Sequence, residues 1–311
     1  MDVQLKKKFM IIIMKELKKK FGKQLLINEK LSNYSWFNLG GPADVFFKPN
    51  SIEDILFFLA KLKPQKLTII GAGSNTLIRD GGIKGITIKL SSAFSYMSRC
   101  SKNIIEVGAS TPDKKIADFA TENSLSGLEF LACIPGSIGG AIRMNTGCYG
   151  HDISQILHSI RVIDIQGHKK EILAKDIKFS YRNTNLDENQ IITSVKLIGK
   201  KSLRIEVEKK LRGMVERKKN SQPSQIRTCG STFKNPKNKK AWKLIKESNC
   251  ENFKVGNATI SEQHCNFFVN NGKATSKELE KLIKKVKLTV YQKTKIDLEL
   301  EIKIIGRDNQ S

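Results

Sequence analysis

Two glycine-rich stretches hold the residues best suited to chemistry in this sequence of 311 residues. The first, GLEFLACIPGSIGGAIRMNTGCYG at residues 127–150, holds six of the 22 glycines together with Pro135 and little charge. Glycine at this density costs backbone entropy and is kept where main chain must turn sharply or approach a ligand closely. The second, GAGSN at residues 71–75, follows a short apolar run. Consecutive backbone N–H groups there can cradle a pyrophosphate, and a tight turn with no ligand is the plain alternative. Neither stretch is a nucleotide-fold fingerprint. The G-x-G-x-x-G pattern needs a third glycine where Thr76 stands and a helix directly after it, and residues 136–140 lack the Lys-Ser/Thr ending of a P-loop.

The elements around these stretches follow from pattern. Residues 1–32 read as a basic helical lead-in. SIEDILFFLAKLK, residues 51–63, reads as a helix capped by Ser51 and Asp54, with Ile52, Ile55, Leu56, Leu59 and Leu62 on one face. A strand over residues 66–70 runs into the first loop, and GITIKL and IIEVGAS give two more. Thr111 and Pro112 open a helix to about Asn123. SIRVIDIQGHKKEIL reads as a hairpin turning at Gly167, with a further strand over residues 191–198. Residues 202–219 form a charged helix bridging into a second domain, which carries a helix over 241–248, strands near Thr259 and over 266–270, and a long helix opened by Thr275 and Glu278. DLELEIKII alternates as a strand, with Leu298, Leu300, Ile302 and Ile304 on one face and Glu299, Glu301 and Lys303 on the other. The class is α+β with mixed sheets. Two glycine loops, each after an apolar segment and far apart in sequence, fit one extended phosphate-bearing ligand clasped at both ends, and FAD has that shape.

The formal charge of +25, from 55 Lys and Arg against 30 Asp and Glu, raises nucleic-acid binding, because neutralised phosphates release counterions. The lysines are scattered, however, and aromatics make up only 7%, too few for an evident stacking platform. No nucleic-acid partner is expected, and steering of anionic small substrates is the better use of the charge. The apolar run from Phe9 to Met14 is far short of a membrane span and has no cleavage site after it, so a cytoplasmic protein without a membrane partner is expected. Six cysteines at irregular spacing and four histidines without a ligand pattern predict reduced thiols and no metal.

Seven segments in order, NLGGPADVF (38–46), IIGAGSNTLIRDGG (69–82), the 127–150 run, FSYRNT (179–184), GSTFKNP (230–236), SEQHCNFFVN (261–270) and LELEIKIIG (298–306), closely resemble the UDP-N-acetylenolpyruvoylglucosamine reductase family. The resemblance implies a vanillyl-alcohol-oxidase/PCMH-type FAD-binding domain over residues 33–200, built of two subdomains (about 33–90 and 91–200). A smaller C-terminal α/β domain for the UDP-sugar follows over 201–311. It also implies that NADPH reduces the flavin and leaves, and that UDP-N-acetylglucosamine enolpyruvate then takes the same pocket and becomes UDP-N-acetylmuramate for peptidoglycan.

By the same resemblance, FAD contacts fall on Gly71, Ala72, Gly73, Ser74, Asn75, Ile134, Pro135, Gly136, Gly139 and Gly140. Arg182 corresponds to the arginine that steadies the substrate carboxylate, Ser231 to the proton donor, and Glu301 to a third residue that orients the intermediate. Tyr149, Lys219 and Asn235 stand where relatives touch the UDP-sugar. Without the resemblance, Arg182 reads as a surface ion pair, Ser231 as a turn serine, and alternation cannot choose Glu301 over Glu299. The short interval between Arg182 and Ser231 leaves no room for a tyrosine-bearing insert and implies the shorter branch, with the diphosphate held differently. Trp36 and Phe37 also depart from the family's threonine-containing approach to Gly40 and Gly41. A flavin oxidase with another substrate and a basic nucleic-acid-binding protein are the rival readings.

Overall fold

The computed structural model describes residues 3–308. Its first sheet runs Leu25–Lys30, Pro42–Phe47, Ile83–Ile88, Leu67–Ile69 in spatial order, antiparallel at the first pair and parallel at the other two. Helices α1 (Val3–Phe21) and α2 (Ile52–Leu62) share its core, where Leu17 and Phe21 meet Phe47 and Phe58 and the last two rings stack 4.1 Å apart. At the start of α2 the Asp54 N–H donates to Ser51 Oγ at 3.1 Å, while the Asp54 carboxylate accepts from Asn50. The expected helical lead-in is α-helical only to Phe21, with short helical turns at Gly22–Gln24 and Leu31–Tyr34. Between those turns Leu25–Lys30 pairs with Pro42–Phe47, which satisfies that strand's outer backbone groups and buries Leu25 completely.

The second sheet is wholly antiparallel, in the order Lys169–Leu173, Leu157–Ile163, Ile191–Ile198, Ile104–Gly108, Met97–Arg99. Its predicted hairpin turns at Gly167, φ 92°, where Asp164 Oδ1 accepts the Gln166 and His168 N–H groups, each at 2.9 Å. Helices α3 (Asp113–Glu122) and α4 (Ile138–Arg143) pack Ile116, Ala120 and Ile142 against Val107, Ile160 and Val195 of the sheet. Helix α5 (Arg204–Ser221) lays Leu211 and Met214 on the same core.

A third sheet, Lys254–Val255, Ala258–Ile260, Phe268–Asn270, packs with α6 (Ala241–Glu247) and α7 (Ser276–Thr294). Thr275 and Glu278 form a full capping box on α7. The chain then returns to the first half: Lys303–Ile305 pairs in parallel with Thr76–Ile78. The longer strand expected across DLELEIKII is confined to those three residues. Before them the chain uses another partner, Lys234 donating to the Glu299 carbonyl and Glu301 to the Thr232 carbonyl, both at 2.8 Å. The change of partner interrupts the strand. Among the described residues no helix is long and apolar enough to cross a membrane, and no group of side chains has the make-up of a metal site.

Candidate active site

The two glycine loops meet each other. Ser74 Oγ donates to the Pro135 carbonyl at 2.7 Å, and a Cβ on Gly71 would stand 3.1 Å from Ser137 Oγ. The expected clasp at two ends of a ligand is therefore one shared cradle, because the first subdomain presents its loop directly to the start of α4. Among the described residues, no N–H of residues 71–75, nor that of Gly136 or Ser137, donates to a backbone acceptor. Unclaimed amides gathered in this way suit a diphosphate. Glycine is required on sterics as well: a Cβ on Gly73, at φ 72°, would fall 1.9 Å from the Tyr34 carbonyl oxygen, and one on Gly136 would lie 3.2 Å from both Asp113 Oδ2 and Ser74 Oγ. Asp113 is fully buried with no partner for either oxygen. Burial pushes its carboxyl well above the usual range, which favours the uncharged form beneath the cradle. Ala72 and Gly140 complete the two loops, Ile134 is buried behind them, and Gly139 holds the start of α4 by donating to the Ala109 carbonyl at 3.0 Å. Lys89 Nζ donates to the Gly71 carbonyl.

The cradle leads directly to the predicted reaction residues. Asn75 Nδ2 donates to the Glu301 carbonyl at 3.0 Å, and the Glu301 N–H donates to the carbonyl of Thr232, the residue after Ser231. Arg182 Nε lies 2.8 Å from Glu301 Oε1, with the side chains only 18% and 15% exposed. The Nε–H is not aimed at that oxygen, so the pair is held by charge and leaves guanidinium donors for a ligand. Burial pushes the Glu301 carboxyl up, and the Arg182 charge opposes without cancelling this. Glu299 differs sharply: it is 76% exposed, 3.4 Å from Lys234 Nζ.

A cavity of about 350 Å³ opens beside this pair, lined by Asn145, Cys148, Tyr149, Tyr181, Arg182 and Asn235 among others. Two tight turns aim its walls. Tyr149 and Gly150 both have positive φ between Cys148 and His151, the geometry of a type I′ hairpin, and Arg182 takes φ 57° between paired Ser180 and Asn183. The Tyr149 hydroxyl is buried without a partner, and its ring lies under Arg217, 4.6 Å from the guanidinium carbon. Asn235 Oδ1 accepts the Ala241 N–H at 3.0 Å, which fixes the side chain at the start of α6.

Lys219 is not brought to the cavity: it is exposed. Its neighbour Lys218 turns inward, and burial lowers its amine while the nearby Cys133 and Cys148 sulfurs pull the other way. Helical phase carried that signal, since Val207, Leu211, Met214 and Lys218 recur at spacings of three and four on one face of α5. Lys89 had no sequence pattern to reveal it.

Two family models match this chain: UDP-N-acetylenolpyruvoylglucosamine reductase, C-terminal domain, over residues 222–305, and an FAD binding domain over residues 43–172. The UDP-N-acetylenolpyruvoylglucosamine reductase of Pelagibacter ubique is 43% identical over 279 residues, covering 88% of this chain and 92% of the relative. That of Orientia tsutsugamushi (strain Ikeda) is 41% identical over 284 residues, covering 90% and 94%. The crystal structure of the enzyme from Thermus caldophilus aligns with a TM-score of 0.79 at 28% identity, over 91% of this chain and 98% of that one. A cradle of free amides, a partly buried arginine–glutamate pair at its edge and likeness over nine-tenths of the length agree: the chain belongs to the UDP-N-acetylenolpyruvoylglucosamine reductase family and is an FAD-binding oxidoreductase.

Proposed function

We propose that this chain reduces UDP-N-acetylglucosamine enolpyruvate to UDP-N-acetylmuramate in the cytoplasm, with NADPH as the source of hydride and Arg182, Ser231 and Glu301 as the reaction centre. The FAD, when bound, supplies a two-electron carrier between the nicotinamide and the enolpyruvyl double bond. Hydride arriving at the terminal enol carbon leaves negative charge on the carbon beside the substrate carboxylate. Arg182 offsets that charge through a planar fork suited to a carboxylate. Ser231 delivers the proton to the carbon, a transfer a positioned hydroxyl manages because the carbanion is the stronger base. Glu301 sets the arginine's orientation. Tyr149 and Asn235 line the path of the UDP-sugar, with Lys218, rather than Lys219, the inward-facing lysine of α5.

The observation that carries this reading is the convergence of Tyr149, Arg182 and Asn235 on one cavity, with Glu301 paired to Arg182 and tied to the cradle through Asn75. The test mixes yellow holoenzyme with NADPH and the enolpyruvyl UDP-sugar and follows nicotinamide absorbance together with product mass. One UDP-N-acetylmuramate per NADPH is expected. Flavin-loaded protein that oxidises NADPH no faster with the sugar than without it defeats the assignment.

A further inference from the structure

The two turns that aim the cavity walls are tied to one side chain. Asn145 stands just past α4, where the Asn145 N–H donates to the Ile142 carbonyl at 3.1 Å and the Thr146 N–H to the Ala141 carbonyl at 3.0 Å. That pair of bonds closes a helix through a left-handed residue, usually glycine, and Asn145 takes the place with φ 40°. Asn145 is only 5% exposed and borders the cavity. Its amide is used at both ends. Oδ1 accepts the Ser154 N–H at 3.0 Å, two residues beyond the paired strands that turn at Tyr149 and Gly150. Nδ2 donates to the Ser180 carbonyl at 3.2 Å, at the foot of the turn that carries Arg182. These partners fix the amide's orientation, because turning it over would set oxygen against oxygen and N–H against N–H.

We propose that Asn145 is a positioning residue that sets the distance across the substrate cavity, holding the Tyr149 hairpin and the Arg182 turn to the end of α4. Each wall also has a tie of its own. Thr184 Oγ1 donates to the Arg143 carbonyl at 3.1 Å on the Arg182 side, and the Ile153 N–H donates to the Thr146 carbonyl at 3.2 Å on the hairpin side. Each of these bonds serves one wall, whereas the Asn145 amide serves both. A ligand that reaches both walls therefore depends on Asn145, and a ligand that leaves Arg182 untouched does not. UDP-N-acetylmuramate carries a carboxylate for Arg182 beyond its sugar; UDP-N-acetylglucosamine lacks it.

The effect on ligands rests on the function proposed above; the clamp itself does not. Asn145→Gly deletes the amide at a place where glycine adopts the backbone conformation without strain, so a loss belongs to the side chain. Hydrogen exchange of the flavin-loaded variant reads the clamp with no sugar present, and isothermal titration with the two UDP-sugars reads the spacing. Expected are retained flavin and faster exchange in both 147–154 and 179–184. Affinity for UDP-N-acetylmuramate should fall by about tenfold or more, while that for UDP-N-acetylglucosamine stays within about twofold. Asn145→Asp keeps the acceptor for Ser154 and sets oxygen against the Ser180 carbonyl, so exchange should rise in 179–184 alone. Unchanged exchange in either segment of the glycine variant overturns the clamp. An equal fall for both sugars, or none for either, overturns the spacing role. Wild-type protein that binds neither sugar, with both segments still loosened in the variant, would instead count against the proposed reaction alone.

Discussion

Arg182 combines backbone strain with a nearly buried charge. Its left-handed φ of 57° falls at the third position of a turn that favours glycine, a conformation that costs other residues about 1–2 kcal/mol. An arginine in this turn sets its charge beside Glu301, which glycine could not do. Arg182→Lys preserves the charge and removes the fork, so steady-state kinetics should show kcat/KM lower by about 10²-fold or more at unchanged flavin content. Ser231→Ala should lower kcat by about 10²–10⁴ while NADPH oxidation with an artificial electron acceptor stays at the wild-type rate; loss of both activities would point to a damaged fold. Lys89 makes a pH prediction. Burial, with the Lys48 charge adding, pushes its amine down to about 8, so below that pH it is a cation on the Gly71 carbonyl. An anionic diphosphate favours the cation, and FAD affinity should weaken above pH 8 by up to about tenfold per pH unit. Isothermal titration from pH 7 to 9 should show this slope for the wild type and a flat, weaker profile for Lys89→Met. The same depressed amine costs the flavin-free fold stability below pH 8, a cost relieved as pH rises from about 8 towards the ordinary lysine value of 10.5.

At the scale of elements, the loops depend on what presses against them. Gly73 and Gly85 have similar positive φ, 72° and 83°, yet a Cβ at Gly73 would collide with the Tyr34 carbonyl at 1.9 Å and one at Gly85 meets nothing within 4 Å. Gly85→Ala should therefore cost only local strain, about 1–2 kcal/mol, and keep FAD. Gly73→Ala should cost more than that in denaturant melts and release FAD into the ultrafiltrate. Most helices and both hairpin strands around Gly167 were readable from the sequence, because caps and apolar periodicity are local signals. The 25–30 strand was not, since its partner lies across a loop and lysines frame it on both sides. Glu299 and Glu301 were inseparable by alternation for a related reason. That stretch changes strand partner between Thr232 and Thr76, which turns one carboxylate to water and the other to Arg182. The contact of Arg182 with Glu301 was readable only through the family motifs, because nothing in their spacing encodes contact over such a distance.

Across the whole molecule, the C-terminal domain is fastened to the flavin domain at the foot of the cradle. Asp80 caps α7 from the other domain: its carboxylate accepts the Ser276 N–H at 3.0 Å, and Ser276 Oγ accepts the Asp80 N–H at 2.9 Å. Next to it Arg79 grips Glu280 with two nitrogens at 2.8 and 2.9 Å, and the Lys303–Ile305 strand continues the junction on Thr76–Ile78. Leu77 and Phe37 of the first half are buried in the same core as Leu279 and Val286 of α7. A shared core joined by a strand and by partly buried polar pairs should make the halves unfold together, although the chain is long enough for two domains. Differential scanning calorimetry of the wild type should give one transition with matching calorimetric and van't Hoff enthalpies. Removing the cross-domain cap by Asp80→Ala costs about 1–2 kcal/mol, and Arg79→Ala takes away the bidentate pair. The double variant should split the endotherm, with FAD stabilising only the transition of the cradle-bearing half. Two transitions already present in the wild type would show that the junction does not couple the domains.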